Sequence, residues 1–396
     1  MPASKSCFVQ PAYQAKSLSF AMGTTVLGLM SGTSADGVDG VLVRFSGRPR
    51  QPSWQLLNSG HHPYPPELRQ ALVAAGQGEA LPAARWLELE EAITEAQAHC
   101  ARAVDPRGQA QLVGCHGQTL WHRPPNGEQR GASWQVLNGP LLAELLGKPL
   151  VCDFRRADLA RGGQGAPLVP ITDGALLPRI GGWRALLNLG GIANLTLLPP
   201  EQGPDRGAPI RGWDCGPANT LLDLAVQRFS AGQLSHDHNG SWALAGQVNE
   251  ALVQQWLREP YLQQPPPKST GRELFGRHDL DRRLAAMGSL DHAAALATLA
   301  AFSAAAVAAD LGRGPRPLEL LVSGGGCRNQ ALMGQLRQRC RGLWVRPLAE
   351  LGIADLEREA LAFALLAWWQ LLGIPAGEPA VTGADRAGTL GVLIQP

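Results

Sequence analysis

The sequence has neither a strong excess of one charge nor paired cysteines. Its 35 basic and 33 acidic residues leave a formal net charge of +2, whereas nucleic-acid and membrane partners usually require clustered Lys and Arg. The seven cysteines are scattered and form no C-x-x-C pair, so we predict neither a zinc site nor a disulfide framework. We expect reduced thiols, a cytoplasmic location and no nucleic-acid or membrane partner.

Long apolar runs are also lacking. Residues 1–22 contain no stretch of the roughly 7–15 apolar residues that a secretory signal needs, so we predict a disordered N-terminal extension there, with Met22 as an alternative start. The apolar stretches at 293–309 and 361–374 are too short or too rich in small residues for a membrane span of about 20 residues. Both stretches predict buried helices.

The remaining chain predicts an α/β protein, because strand patterns alternate with helix patterns and 45% of the residues are hydrophobic. A strand–glycine turn–strand pattern occurs near the start and again at residues 185–198, which suggests two related lobes. The predicted strands lie at 25–30, 41–45, 112–115, 319–323 and 389–394, and the predicted helices at 66–75, 81–103, 329–341 and 356–372.

The two lobes meet where a glycine-rich segment bounded by prolines crosses between them, and the last strand returns to the first lobe. We therefore assign residues 23–165 plus 378–396 to lobe I, which carries the first glycine loop. Residues 166–377 form lobe II, which carries the other two. At 396 residues, the chain is long enough for two cores with a cleft between them.

Three glycine-rich turns follow predicted strands and together predict a nucleotide site. Glycine allows positive φ and lets backbone N–H groups approach a phosphate closely. Each turn alone is typical of an ordinary hairpin, and the sequence has neither a P-loop nor a G-x-G-x-x-G motif after a strand. The residues of these turns are Gly32, Thr33, Ser34, Ala35, Asp36, Gly37, Val38 and Asp39, then Gly190 and Gly191, then Gly324, Gly325 and Gly326.

Carboxylates in and near these turns suggest phosphoryl-transfer chemistry. Asp36 and Asp39 offer oxygen ligands for Mg²⁺, although Asp is also common in turns for purely local reasons. Asp214 lies beside Trp213 and a Gly-Pro bend, where partial desolvation would raise its basicity. The alternative for Asp214 is an N-cap for a helix that begins near Asn219.

Three further segments are ambiguous in the sequence. His116 lies between small residues, and its role is open. The HDHN segment at residues 236–239 resembles a metal-binding tract, but a polar turn is the simpler interpretation. The segment PKSTGRELF carries Lys268, Arg272 and Glu273, which suit a sugar or phosphate ligand as well as a solvated loop.

Nine motifs occur in an order that resembles the 1,6-anhydro-N-acetylmuramic acid kinase family, from about residue 25 to the C-terminus. Among them, GTSxDGxD and GGQGAPLVP are the most specific. The motifs are GLMSGTSADGVDG, HGQTLWHRP, DFRRADLARGGQGAPLVP, NLGGIANLT, WDCGPANTLLD, PKSTGRELF, VSGGGCRNQALM, EALAFALLA and TGADRAGTLG.

The resemblance implies the two-lobed, ribonuclease H-like fold of actin and sugar kinases, closing over ATP and Mg²⁺. It further implies a reaction of ATP, water and the anhydro sugar that yields N-acetylmuramic acid 6-phosphate and ADP. In this assignment Asp214 is the base for water and Glu359 is a carboxylate at the sugar. Asn329 joins the third glycine turn at the adenosine. The implied sugar ligands are His116, Gln118, Arg155, Asp158 and Gln164.

The chain departs from the family pattern at a few positions. Cys215 and Ala218 stand where Thr and Gly are usual, which puts the shape of the pocket near Asp214 in doubt. Asn138 replaces an acidic residue, and Cys115 replaces a common Ser. Two other functions stay open: a kinase of an ordinary sugar hydroxyl, and a non-catalytic ATP-binding switch. The sequence also leaves the oligomeric state open, with a homodimer as one option.

Overall fold

A computed structural model describes residues 23–354 and 356–396. The extension predicted at residues 1–22 lies outside these described residues. The structure contains two separate β-sheets with helices packed against them. The strands are β1 (Thr24–Ser31), β2 (Gly37–Arg48), β3 (Gln51–Pro63), β4 (Leu112–Arg123), β5 (Ala132–Val136), β6 (Leu150–Cys152), β7 (Arg184–Leu189), β8 (Ile192–Leu198), β9 (Arg211–Pro217), β10 (Glu319–Ser323), β11 (Trp344–Pro347) and β12 (Val392–Ile394).

The two sheets share one topology. The first has the strand order β3-β2-β1-β4-β6, extended by β12 beside β6 and by β5 beside β4, and the second has the order β9-β8-β7-β10-β11. In each, the first three strands along the chain form an antiparallel meander, and the next two central strands add in parallel. This repeated plan confirms the predicted α/β fold of two ribonuclease H-like lobes. The strand predicted to return to the first lobe is β12.

Helices cover both sheets and fill the space between them. The helices are α1 (Pro66–Gly76), α2 (Ala83–Val104), α3 (Gly139–Leu146), α4 (Phe154–Leu159), α5 (Val169–Leu176), α6 (Thr220–Phe229), α7 (Ser241–Ala245), α8 (Glu250–Trp256), α9 (Pro260–Gln263), α10 (Arg277–Met287), α11 (His292–Leu311), α12 (Gln330–Arg339), α13 (Glu357–Leu371) and α14 (Pro379–Thr382). Short 3₁₀ helices occur at Pro204–Gly207, His238–Gly240, Gly325–Arg328 and Leu348–Leu351.

Helix α11 is long and apolar enough to cross a bilayer, but most of it is buried inside the second lobe. Asp291 caps its start by accepting a hydrogen bond from the Ala294 N–H at 2.7 Å. Its many alanines let α6, α8 and α12 pack closely around it. The prediction of a buried helix here is confirmed.

Helix α13 lies on the first sheet, where it packs against β1, β2 and β4. The close approach depends on glycines, since a Cβ atom at Gly28 would lie 2.1 Å from the Ala360 carbonyl oxygen. A Cβ atom at Gly114 would lie 2.4 Å from the Phe363 carbonyl oxygen. The assignment of all residues from 166 to 377 to lobe II was therefore wrong for α13. The pattern of α13 shows only that it is buried, and not which sheet it covers.

Candidate active site

The first glycine loop connects β1 to β2. Ala35 has a positive φ of 50°, and its N–H donates to the Gly32 carbonyl at 3.2 Å, which closes the turn. Thr33, Ser34 and Asp36 are exposed on this loop. The side chains of Ala35 and Val38 are buried in the core, and Gly37 already belongs to β2. Any side-chain contact with a phosphate must therefore come from the exposed part of the loop.

Gln118, on β4, anchors the first glycine loop. Its buried Nε2 atom donates to the Gly32 carbonyl at 2.9 Å, which anchors the turn to β4. Its Oε1 atom is buried and has no hydrogen-bond partner among the described residues. Because a buried acceptor rarely stays unsatisfied, this oxygen is a candidate for contact with a ligand.

Asp36 and Asp39 are close enough for their charges to interact. Burial raises the pKa of Asp39, and the Asp36 charge adds to this effect, while the hydrogen bond from His61 Nδ1 at 2.7 Å opposes it. Two carboxylates that repel each other suit a shared cation. No group of three or more metal-ligating side chains occurs in the described ranges, and the Mg²⁺ role of Asp36 and Asp39 stays a prediction.

The second glycine turn joins β7 to β8 and is held by the start of α6. Asn219 Nδ2 donates to the Leu189 and Gly190 carbonyls at 2.9 and 2.8 Å. A Cβ atom at Gly191 would lie 2.7 Å from Thr220 Oγ1, so no side chain fits there without a shift. The hydroxyl of Thr220 is buried without a partner in the described structure.

The third glycine turn packs directly on the second. Gly324 has a φ of 85°, and a Cβ atom there would lie 2.7 Å from Asn188 Oδ1. A Cβ atom at Gly326 would lie 2.5 Å from Leu189 Cβ. Asn329 caps α12, with its Oδ1 atom accepting from the Leu332 N–H at 3.0 Å. The structure therefore brings these two turns together, and the adenosine role of Asn329 stays a prediction.

Asp214 is buried in the middle of β9. Its Oδ2 atom accepts from the Thr270 N–H at 3.0 Å, and its own N–H donates to the Lys268 carbonyl at 3.0 Å. A register shift in the β8–β9 pairing occurs beside it, and such bulges redirect side chains. The N-cap alternative is wrong, because α6 begins only at Thr220.

The pKa of Asp214 rises to about 7, mainly because burial disfavours the charged form. The Thr270 N–H and the positive charge of Arg155 oppose this rise, whereas the negative charge of Glu273 adds to it. A carboxyl group that is half ionised near neutral pH suits a general base, because it can accept a proton and release it again.

Arg155, on α4, is the cation that joins the predicted catalytic residues. Its guanidinium interacts electrostatically with Glu359, Asp214 and Asp158. Its Nε atom donates to His116 Nε2 at 2.8 Å. His116 Nδ1 must then carry the ring proton, which it donates to the Gly117 carbonyl at 2.9 Å. Burial and the Arg155 charge lower the pKa of His116 well below its usual value, so the ring is neutral.

Glu359, near the start of α13, is half-buried, and burial raises its pKa. Arg358 and Arg155 oppose that rise, and Asp39 adds to it. The charges of Asp39 and Glu359 therefore interact, which places the Glu359 carboxylate near the first loop. Its contact with the sugar stays a prediction. Both lobes contribute to this cluster, since Asp214 lies on the second sheet.

Asp158 is fully buried, and its carboxylate accepts hydrogen bonds from other residues of the protein. It accepts from the Gly165 N–H at 2.8 Å and from Thr382 Oγ1 at 2.7 Å. The prediction that it contacts the sugar is therefore corrected: Asp158 positions the loop that carries Gln164. Gln164 Nε2 donates to the Pro267 carbonyl at 3.3 Å, which ties this loop to the PKSTGRELF segment.

The sequence analysis missed Asp223, the last residue of WDCGPANTLLD. Burial raises its pKa to about 7, and the Arg272 charge opposes the rise. Arg272 also interacts with Asp36, so its charge lies between the first loop and α6. Lys268 does not contact the cleft, because it is buried in an ion pair with Asp310 at 3.0 Å. Lys268 and Arg272 belong to the same motif, and only the placement of their side chains shows that their roles differ.

The HDHN segment is a polar turn, as the simpler interpretation predicted. Asp237 accepts hydrogen bonds from the Trp242 and Ala243 N–H groups, both at 3.0 Å, and so caps α7. No disulfide joins the six cysteines that the structure describes.

The departures from the family pattern do not fall on the predicted catalytic residues Asp214 and Glu359. Cys215 is buried beside Asp310. Ala218 is buried, and its carbonyl accepts from Ser303 Oγ at 3.2 Å. Asn138 caps α3 through a 3.0 Å hydrogen bond from the Leu141 N–H, a role that needs no negative charge.

Two solved structures are weakly similar to the chain. Component A of the (R)-2-hydroxyglutaryl-CoA dehydratase of Acidaminococcus fermentans is 10% identical, with a TM-score of 0.42 and coverage of 88% of this chain and 99% of that one. The ROK hexokinase of Thermus thermophilus is 17% identical, with a TM-score of 0.35 and the same two coverages. Neither similarity is strong enough to support an argument about function.

Sequence relatives are much closer. The family described as anhydro-N-acetylmuramic acid kinase matches residues 24–396. A relative of that name from Prochlorococcus marinus (strain MIT 9303) is 60% identical over 376 residues, which cover 94% of this chain and 99% of the relative. Another from Synechococcus sp. (strain CC9902) is 60% identical over 376 residues, with 93% and 99% coverage. The chain therefore belongs to the anhydro-N-acetylmuramic acid kinase family.

Proposed function

We propose that the protein uses ATP and water to convert 1,6-anhydro-N-acetylmuramic acid into N-acetylmuramic acid 6-phosphate and ADP, in the recycling of cell-wall sugars in the cytoplasm. The observation that carries this proposal is the state of Asp214. It is a buried carboxyl group, held by the Thr270 N–H, with a pKa of about 7, and its charge interacts with that of Arg155 on α4.

Asp214 acts on water in this reaction. Its carboxylate takes one proton from the water while the water oxygen forms a bond to C1 of the sugar. The C1–O6 bond breaks, and O6 forms a bond to the γ-phosphorus as the bond from that phosphorus to the ADP oxygen breaks. The departing oxygen is captured by phosphorus, so no separate acid has to protonate it. Asp214 then releases its proton to solvent.

Arg155 and His116 position this chemistry. The Arg155 charge keeps part of the Asp214 population ionised at neutral pH, since it opposes the rise in the Asp214 pKa. His116 holds the Arg155 guanidinium at Nε, and the Arg155 Nη1 atom donates to the Gly165 carbonyl at 2.9 Å. The guanidinium is therefore fixed between the loop that carries Gln164 and the two carboxylates, where Glu359 and Gln164 would contact the sugar.

The glycine turns would hold ATP. The exposed part of the first loop and the second turn lie in different lobes, so both can approach the phosphates when the lobes close. Asp36 and Asp39 would hold Mg²⁺, which when bound offsets the charge of the phosphates. The third turn, packed on Leu189, would lie on the adenosine side. Arg272 would add a cation near the first loop.

The proposal is tested by measuring ADP release from purified protein with ATP and Mg²⁺, with and without the anhydro sugar. We expect release only with the sugar, and a product heavier than the sugar by one phosphoryl group and one water. A product heavier by the phosphoryl group alone would indicate a kinase of an ordinary hydroxyl. ATP binding with no sugar-dependent turnover would indicate a non-catalytic switch.

A further inference from the structure

A cavity lies away from the glycine turns, between the β2–β3 turn, α5 and α13. Its volume is about 260 Å³, less than that of pockets that accept drug-sized ligands. No acidic residue lines it. The residues around it are Arg48, Arg50, Gln51, Ile171, Gly174, Ala175, Arg179, Ile210 and Trp369.

Three arginines give this cavity a strong positive charge. Arg48 and Arg50 are exposed, and neither has an ion-pair partner within residues 23–354 and 356–396. Arg179 donates from Nη1 to the Arg206 carbonyl at 3.0 Å, which orients its guanidinium but leaves its charge unpaired. Asp173, the acidic residue of α5, is already bound to Arg358.

Two tryptophans anchor the hairpin that carries Arg48 and Arg50. Trp369 Nε1 donates to the Pro49 carbonyl at 2.7 Å, which fixes the turn between Arg48 and Arg50 onto α13. On β3, Trp54 Nε1 donates to the Leu176 carbonyl at 3.0 Å and ties the same hairpin to α5. The backbone around the cavity is therefore fixed before a ligand arrives, and only the exposed side chains of Arg48 and Arg50 would have to be ordered on binding.

The floor of the cavity is apolar and includes the junction of the lobes. Ile171 on α5, Ile210 before β9 and Trp369 on α13 supply it. A Cβ atom at Gly174 would lie 2.2 Å from Ile210 Cδ1, so only glycine allows this close contact. A ligand here would touch the β2–β3 hairpin of the first lobe and the Ile210 segment of the second.

We propose that this cavity is a second ligand site, which binds a small phosphate monoester with an apolar body. A phosphate monoester carries a charge close to −2 near neutral pH and presents three strong acceptor oxygens, a match for three guanidinium groups. The apolar body would rest on the two isoleucines and Trp369. The proposal does not depend on the function proposed for the cleft, because the two sites share no residue.

The test is calorimetric titration with phenyl phosphate while saturating ADP and Mg²⁺ occupy the nucleotide site. The double variant Arg48→Gln/Arg50→Gln removes two of the three charges. The control is Arg69→Gln/Arg337→Gln, which removes the same charge from exposed positions on α1 and α12. Sugar-dependent ADP release should stay at the wild-type level in both variants, which verifies that each is folded.

We expect phenyl phosphate to bind the wild type and the control equally, and the Arg48→Gln/Arg50→Gln variant at least about tenfold more weakly, because charge-assisted hydrogen bonds are lost. Inorganic phosphate should bind the wild type roughly tenfold more weakly than phenyl phosphate, since it lacks the apolar body. Equal binding to all three proteins would overturn the site. Benzoate binding as tightly as phenyl phosphate would overturn the choice of a phosphate.

Discussion

Arg358 and Asp173 form a buried ion pair that joins α13 of the first lobe to α5. Arg358 donates from Nε to Asp173 Oδ1 at 3.0 Å and from Nη2 to Oδ2 at 2.5 Å. Its Nη1 atom donates to Ser323 Oγ of the second sheet at 3.0 Å, and Thr196 Oγ1 donates to Asp173 at 3.1 Å. One network therefore links both lobes directly beside Glu359.

We predict that Arg358→Met lowers the free energy of unfolding by about 3–5 kcal/mol, because it leaves the Asp173 carboxylate buried without its partner. Chemical denaturation measures this loss. The control is Arg339→Met, which breaks the pair between Arg339 and the exposed carboxylate of Glu250 and should cost about 1 kcal/mol or less. Equal losses in the two variants would show that the buried network does not stabilise the fold.

Because the pKa of Asp214 is raised, replacing this residue with Asn should stabilise the protein by an amount that depends on pH. The folded protein binds this proton more tightly than the unfolded chain, since the pKa rises from 3.8 to about 7 on folding. Wild-type stability is therefore lost as the pH rises through about 7, whereas an amide has no such dependence. We expect Asp214→Asn to be more stable at pH ~8 by on the order of 2–4 kcal/mol.

Urea denaturation of both ligand-free proteins at several pH values tests this expectation. The Asn oxygen can still accept the Thr270 N–H, so the change removes the ionisation and keeps the hydrogen bond. The gain should shrink as the pH falls below about 7 towards 4. A variant less stable than the wild type at high pH would contradict the raised pKa.

The pH profile of activity depends on Arg155. The base must be ionised, so kcat/KM should rise with pH up to about 7 and then level off. Arg155→Met removes the positive charge that opposes the rise in the Asp214 pKa. The acid limb of the profile should then move to higher pH.

Arg156→Met is the control for this experiment. Arg156 is the next residue along α4, and its exposed guanidinium pairs with Asp153 at 3.4 Å. Its removal should leave the acid limb unchanged. If the acid limb does not shift in Arg155→Met, or shifts equally in both variants, then the Arg155 charge does not specifically control the ionisation of Asp214.

Asp36 and Asp39 should matter for Mg-ATP far more than for the sugar. We expect Asp36→Ala and Asp39→Ala each to weaken Mg-ATP binding, because each removes an oxygen ligand for the metal. Separate calorimetric titrations with nucleotide and sugar measure the two effects. Glu91→Ala, at an exposed position on α2, is the control. Normal Mg-ATP affinity and turnover in both Asp variants would exclude this loop from the phosphate site.

Much of the fold follows from the sequence, because strand and helix patterns are local. The pattern of residues 319–323 predicts β10 with the bounds that the structure has, and the repeated glycine hairpin predicts the second lobe. The lobe to which α13 belongs could not be predicted. That assignment depends on contacts at Gly28 and Gly114, far away in the sequence.

The motifs predict which segments form the candidate site. They do not predict which residue within a motif has which role. Asp214 stands out beside Trp213, but its partner is a backbone N–H group at Thr270, which no side-chain pattern reveals. Asp158 lies in an equally specific motif, yet its carboxylate is used by Gly165 and Thr382. Only burial and hydrogen bonding distinguish these two aspartates.

The most direct test of the account is the reaction in water enriched in heavy oxygen, with the product analysed before anomeric exchange. If Asp214 activates water for attack on C1, the wild type places the label on C1 and none on phosphorus. Asp214→Asn should do the same chemistry about 10²–10⁴-fold more slowly while it still binds both substrates. Label on phosphorus, an unlabelled product that keeps its anhydro ring, or an Asp214→Asn variant near the wild-type rate would contradict the account.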